Sequence, residues 1–115
     1  EVWIENKATD GWVVPLRPEQ VGWIFRRVRA GGNVLILTRR RVEAGPRRGP
    51  ARDQLWVHSG RQVRELSALG LRDGPRPLMM SEGGPSKWLW PVLEELLLAG
   101  ASVPGSTVRD SQPQV

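Results

Sequence analysis

Cysteine is absent from the 115-residue chain, and histidine occurs only once, as His58. The first absence excludes disulfide scaffolds, thiolate zinc sites and cysteine nucleophiles, and the second excludes a histidine-rich metal cage. No apolar run approaches the ~18 residues that a transmembrane helix needs. No basic-then-apolar leader stands at the start. We therefore expect no membrane partner, and a cytoplasmic location is the default expectation.

Lysine is almost absent as well, because all but Lys7 and Lys87 of the 17 basic residues are Arg. The formal net charge is +5, and hydrophobic residues make up 39% of the chain. An ordinary hydrophobic content at this length predicts one globular domain. The arginine surplus suits a polyanionic partner, although a compositional bias towards Arg, Gly and Pro explains it equally well.

The order of the predicted elements indicates an α/β domain over residues 1–99, with a small mixed sheet flanked by helices. A strand over residues 2–7, a helix over 18–30 and an apolar strand over 34–38 are typical of a crossover between strands of one sheet. Other predicted elements are strands over 12–14 and 54–58, helices over 61–69 and 88–98, and a loop over 74–85. The composition of residues 39–53 predicts a mobile basic loop, and that of residues 100–115 a disordered tail.

Glu5, Asn6 and Lys7 form the triplet that carries the most chemistry. Alternate residues of a strand project from the same face, so Glu5 and Lys7 are expected side by side. A carboxylate can hold Mg²⁺, with the backbone carbonyl of Asn6 as a further oxygen ligand. A neighbouring lysine can orient an attacking water and stabilise negative charge on a phosphate. In isolation, however, such a triplet is most often a solvated surface pair.

Residues 3–38, WIENKATDGWVVPLRPEQVGWIFRRVRAGGNVLILT, resemble the PD-(D/E)xK nuclease superfamily, above all its phage-type, Holliday-junction-resolvase-like and VRR-NUC members. In those proteins an apolar strand ends in Glu-x-Lys, a helix begins with Pro-x-Gln, and a glycine precedes another apolar strand. The resemblance implies a restriction-endonuclease-like core that hydrolyses DNA with Mg²⁺ or Mn²⁺. It makes Glu5 the metal-binding carboxylate, Lys7 the catalytic lysine and Gln20 the auxiliary polar residue. It also implies a homodimer.

The superfamily carries a further acidic residue on a strand upstream of Glu-x-Lys, whereas only Glu1 precedes the motif here. Because the sequence opens almost inside its first strand, we expect the N-terminal part of such a core to be missing from it. Asp10 and Asp53 are the candidates to replace this acidic residue, but Asp10 is typical of a turn and Asp53 of the start of a strand or a loop. The alternative function is a non-catalytic nucleic-acid-binding module that retains the nuclease-like fold.

Several other side chains are candidates for contacts with nucleic acid. Trp12, Trp23 and Trp56 could stack on splayed bases, although packing in the protein is the favoured role. His58 is expected to be a surface or hydrogen-bonded histidine rather than a base. Six arginines could hold a phosphate backbone, with solvated side chains of a loop as the equally weighted alternative. They are Arg39, Arg40, Arg41, Arg47, Arg48 and Arg52.

Overall fold

The computed structural model describes residues 2–102, and its side chains as far as Leu98. Residues 103–115, which form most of the predicted tail, lie outside the described residues. The elements in chain order are β1 (Val2–Thr9), α1 (Pro18–Arg29), β2 (Asn33–Val42), β3 (Arg52–Ser59), α2 (Val63–Asp73), β4 (Met79–Glu82) and α3 (Trp90–Ser102). Two 3₁₀ turns, at Gly60–Gln62 and Pro85–Lys87, precede α2 and α3.

The strands form a four-stranded mixed sheet in the order β1-β2-β3-β4. Strand β1 runs parallel to β2, and the two remaining pairs are antiparallel. Helix α1 makes the crossover between β1 and β2, as the sequence predicted. Pro18 stands in its first turn, where its missing N–H leaves no hydrogen bond unmade. The α/β class and the mixed sheet flanked by helices are therefore confirmed.

Helices cover both faces of the sheet. On one face, α1 and α2 enclose a core that includes Ile24, Ile36 and Leu66, all fully buried. On the other face, Leu35 and Val57 pack with residues of α3 and the segment before it. Strand β2 is covered on both sides, which explains its continuous apolar run.

The segment 39–53, expected as a basic loop, is shorter in the structure. Residues 39–42 complete β2, and Arg52 already begins β3. Arg40 faces the core side, where its guanidinium lies 3.6 Å from the centre of the Trp12 ring and donates a hydrogen bond to the Gly11 carbonyl. That cation–π contact and hydrogen bond compensate the burial of a charge, which local composition could not reveal.

Two smaller predictions were also wrong. Residues 12–14 form no strand; instead the Trp12 carbonyl accepts a hydrogen bond from the Leu71 backbone N–H. The predicted loop over 74–85 contains the short edge strand β4. Its sequence, MMSE, lacks the β-branched and aromatic residues that mark strands.

The single histidine is fully buried rather than at the surface. His58 stacks parallel to Trp56 at a ring separation of 6.4 Å. Neither ring nitrogen makes a hydrogen bond of good geometry within the described part of the chain. Burial lowers the pKa of His58 from 6.5 to about 4, against a smaller opposing contribution from the backbone of Pro75.

This burial predicts a pH dependence of stability. The unfolded chain takes up a proton near pH 6.5 and the folded chain only near pH 4, so folding is favoured above pH 6.5 and weakens as the pH falls. We expect the free energy of unfolding to drop by about 2 kcal/mol between pH 7.5 and pH 5 because of this residue. Urea unfolding at both pH values measures the effect. His58→Leu should remove most of the drop, and an undiminished drop in that variant would contradict the assignment.

Candidate active site beside strand β1

Glu5 and Lys7 project from the same face of β1, as predicted. Their register partners on β2 are Ile36 and Thr38, both buried on the side of the sheet that α1 covers. The two charged side chains therefore face the N-terminal end of α1. The Asn6 side chain points to the opposite face, so only its backbone is available for the metal-ligand role suggested by the sequence.

Gln20 joins the two charged groups in one cluster. The Lys7 Nζ donates a hydrogen bond to Gln20 Oε1 at 3.0 Å and lies 3.3 Å from Glu5 Oε2. The Gln20 Nε2 in turn donates to Glu5 Oε2 at 3.4 Å. We call Glu5, Lys7 and Gln20 the β1 triad. The three residues, distant by up to 15 positions in sequence, thus form a closed triangle of contacts.

The start of α1 fixes the position of Gln20. Its Oε1 also accepts a hydrogen bond of 3.0 Å from the backbone N–H of Arg17, the residue before the first helical turn. The backbone N–H of Gln20 in turn donates to the Arg17 carbonyl at 2.9 Å, and the two hydrogen bonds hold the amide against the helix end. Gln20 therefore acts both in the local stability of the helix and in the orientation of Lys7.

The β1 triad is partly enclosed but remains accessible. The side chains of Lys7 and Glu5 are 14% and 30% exposed. A cavity of about 620 Å³ is lined by Glu5 and Gln20 of the triad and by Trp3 and Trp23; Lys7 contacts both of these triad residues but does not itself line the cavity. A ligand can therefore reach the carboxylate without any rearrangement of the sheet.

Glu19 lines the same cavity as Glu5, but its side chain is exposed and its carboxylate lies 3.5 Å from Nε of Arg17. Among the described residues, no three side chains of His, Cys, Asp or Glu are grouped as a metal ion would require. Asp53 lies on the other face of the sheet, where Arg39 donates two hydrogen bonds to its carboxylate and lowers its pKa. Asp10 follows the end of β1 and lines a different cavity. Neither of the two substitutes suggested by the sequence joins the β1 triad.

Strand β1 is an edge strand. Within residues 2–102 it pairs with β2 alone, so its outer side offers unpaired backbone groups. Trp3 and Ile4, on opposite faces near this edge, are 40% and 42% exposed. A further strand added here would lie directly beside Glu5 and Lys7.

Four of the six candidate phosphate-binding arginines have partners within the protein, and the weakest of these contacts is the 3.9 Å ion pair between Arg41 and Asp53. Arg39 pairs with Asp53, Arg52 pairs with Glu82, and Arg40 is buried against Trp12. Arg41, Arg47 and Arg48 are exposed, at the end of β2 and in the turn between β2 and β3. These three are the arginines best placed to meet a polyanion.

The exposed arginines of the β2–β3 turn allow a test of the DNA partner that the sequence leads us to expect. Each phosphate contact contributes about −0.9 to the slope of log affinity against log salt concentration. We expect Arg47→Ala to make that slope shallower by about 1, and Arg76→Ala, an exposed arginine elsewhere, to leave it unchanged. Fluorescence anisotropy titrations between 50 and 200 mM salt, about the range where such slopes are clear, provide the measurement. Binding that does not respond to salt would exclude a phosphate-binding role.

Sequence reasoning missed Trp3 but favoured the correct role for two other tryptophans. Trp12 and Trp56 pack edge to face at 6.3 Å against the core side of the sheet, which is the packing role that was favoured. Trp3 lines the cavity together with Trp23. The signal was available, because Trp3 alternates with Glu5 and Lys7 and so shares their face.

The fold and the site together define a three-layer α/β domain with a carboxylate, a lysine and an amide clustered on an edge strand. Comparison with known proteins found no matching family model, no matching curated protein and no matching solved structure. Among the described residues, none of the helices has both the length and the apolar content to cross a membrane.

Proposed function

We propose that the protein is a metal-dependent DNA endonuclease of the PD-(D/E)xK type. The observation that carries the proposal is the β1 triad, in which Glu5, Lys7 and Gln20 touch one another beside an open cavity. The parallel β1–α1–β2 unit agrees with the restriction-endonuclease-like core that the sequence resemblance implies. A cytoplasmic location and a homodimer, the latter also implied by the resemblance, belong to the same proposal.

Each member of the β1 triad would have a distinct role. Glu5 would hold Mg²⁺ or Mn²⁺ through its carboxylate, for which hard cations have a preference. The bound metal would supply Lewis-acid polarisation of the phosphate and a more acidic water. Lys7 would orient the attacking water and stabilise charge on the phosphate. Gln20, held by the cap of α1, would keep Lys7 in place.

A second carboxylate would make the metal site strong. The resemblance locates it on a strand next to the Glu-x-Lys strand, and the outer side of β1 has room for such a strand within the described fold. With Glu5 as the sole carboxylate, we expect weak metal binding and slow cleavage. Cleavage should rise when a strand that carries an acidic residue pairs with β1.

The second candidate function is a nucleic-acid-binding module without catalysis. It is favoured by the lack, among the described residues, of three His, Cys, Asp or Glu side chains grouped to hold a metal ion. In that case the exposed arginines and the cavity would bind DNA, and the ion pair between Glu5 and Lys7 would only stabilise the start of the sheet.

Nicking of supercoiled plasmid DNA with Mg²⁺ or Mn²⁺ distinguishes the two functions. The nuclease is expected to convert the plasmid to the open circle, and Glu5→Gln to abolish this conversion. Glu95→Gln, on the exposed side of α3, serves as the matched control and should retain full activity. Metal-dependent nicking that survives Glu5→Gln would contradict the proposed role of the β1 triad, and binding without nicking would favour the module.

A further inference from the structure

The cavity beside the β1 triad has an aromatic wall that the proposed chemistry does not use. Trp3 and Trp23 meet edge to face at a ring separation of 5.4 Å and an interplanar angle of 78°. Both remain partly open to solvent, at 40% and 38% exposure. Buried packing alone does not account for two large indoles left open at the mouth of a cavity.

One side of this wall is fixed from within the protein. The guanidinium of Arg27 lies 4.6 Å from the centre of the Trp3 ring and 5.8 Å from that of Trp23. Arg27 is not among the residues that line the cavity, whereas both indoles are. Arg27 therefore supports the rings from outside the cavity and leaves part of each indole facing it.

The charged residues that line the cavity are one cation, Arg26, and two carboxylates, Glu5 and Glu19, of which Glu19 lies 3.5 Å from Nε of Arg17. Arg26 lines it and supplies a cation for a phosphate, while Arg27 and Arg29 follow in the same last turns of α1. Trp3 precedes Glu5 by two positions on the same strand face, which corresponds to a separation of ~7 Å. A base against the indoles would thus bring a neighbouring phosphate close to Glu5 and Lys7.

We propose that Trp3 and Trp23 stack on an unpaired base, so that the substrate is DNA with a single-stranded nucleotide next to the bond to be cut. The inference rests on the proposed nuclease function for the cutting step, but base stacking itself needs no catalysis. Bases inside a duplex are stacked on their neighbours and cannot enter the cavity, whereas the bases of a single strand, flap or junction can. Stacking on aromatic side chains is tolerant of base identity, so little sequence preference is expected.

Binding measured in EDTA tests this inference separately from cleavage. A labelled oligothymidylate, a blunt duplex of equal length and a strand of abasic sugars with the same number of phosphates are titrated with wild-type protein. We expect the oligothymidylate to bind most tightly. Trp3→Ala and Trp23→Ala should each weaken its binding by about 5- to 150-fold and leave the binding of the duplex and the abasic strand unchanged.

Matched variants separate stacking from loss of structure. Trp90→Ala removes a tryptophan of similar exposure, 46%, from the start of α3 and should change none of the affinities. Trp3→Phe keeps a ring that can stack and should retain most of the affinity for the oligothymidylate. If Trp3→Ala fails to fold by circular dichroism, Trp23→Ala, which removes a ring from a helix rather than from the sheet, decides the question.

The inference and the proposed function fail in different ways. Base stacking would be overturned if the Trp23→Ala variant bound the oligothymidylate with unchanged affinity, or if it lost equal affinity for the single strand and the duplex. It would also be overturned if the wild-type protein bound none of the strands. If the wild-type protein nicks DNA and either of the first two results is obtained, the proposed nuclease function still holds. If the variants lose affinity for the single strand alone and the wild-type protein does not nick DNA, base stacking is supported and the nuclease function is contradicted.

Discussion

Replacement of Lys7 by Met is expected to lower the rate of metal-dependent nicking by about 10²- to 10³-fold, the usual cost of removing one group that stabilises developing charge. The ammonium lies 3.0 Å from Gln20 Oε1 and 3.3 Å from Glu5 Oε2, and these two partners line the cavity where a phosphate would bind. Met keeps the apolar stem of the side chain, so the sheet should remain intact. Plasmid nicking at saturating Mn²⁺ measures the loss.

Lys87→Met is the matched control for this variant, because Lys87 is the other lysine of the chain and is exposed before α3. It should nick DNA at the wild-type rate and bind it with a similar affinity. Full activity of Lys7→Met, with a melting temperature equal to that of the wild type, would show that the lysine takes no part in the reaction.

Gly70→Ala is expected to lower the stability of the protein strongly. Gly70 adopts φ +80°, a conformation that side chains with a Cβ rarely occupy, and a Cβ there would lie 2.5 Å from the Trp12 carbonyl oxygen. That oxygen accepts the hydrogen bond from Leu71 N–H at 2.7 Å, so relief of the clash would break the contact between the loop after β1 and α2. We expect a loss of about 2–4 kcal/mol in the free energy of unfolding.

Two other glycines separate backbone strain from steric clash. A Cβ at Gly31 would have no atom within 4 Å, but the residue has φ +93°. Gly31→Ala should therefore lower the free energy of unfolding only by the ~1–2 kcal/mol that the left-handed conformation costs. Gly11→Ala has neither problem and should be near neutral. Urea unfolding of the three variants should give the order Gly70, Gly31, Gly11 from most to least destabilised. A Gly70→Ala protein as stable as Gly11→Ala would contradict the described approach of α2 to residue 12.

The local part of the site could be predicted from the sequence, because it depends on short-range periodicity. Alternation along a strand places Glu5 and Lys7 on one face, and Pro18 marks the start of the helix that carries Gln20. The parallel crossover follows from the order strand, helix, strand. These regularities need no knowledge of distant contacts, and the structure agrees with each of them.

Features that depend on distant contacts were not predictable. Arg40 looks like part of a basic loop, yet Trp12 and Gln54, far away in sequence, make its burial possible. The arginines at 39 and 52 likewise have carboxylate partners on β3 and β4 that no spacing rule indicates. The burial of His58 follows from how α2 folds back over the sheet. Composition describes what a segment contains, whereas burial depends on what packs against it.

Paramagnetic broadening by Mn²⁺ tests the central claim most directly, because weak binding is enough to produce it. In NMR spectra of the protein titrated with Mn²⁺, the side-chain amide of Gln20 and the backbone amides of residues 5–7 should broaden first. The side-chain amides of Gln54 and Gln62, which are buried elsewhere in the fold, should broaden last and act as internal controls. Glu5→Gln should abolish the selective broadening. Selective broadening at Asp10 and Glu43, or a pattern that Glu5→Gln does not change, would contradict a metal site at the β1 triad.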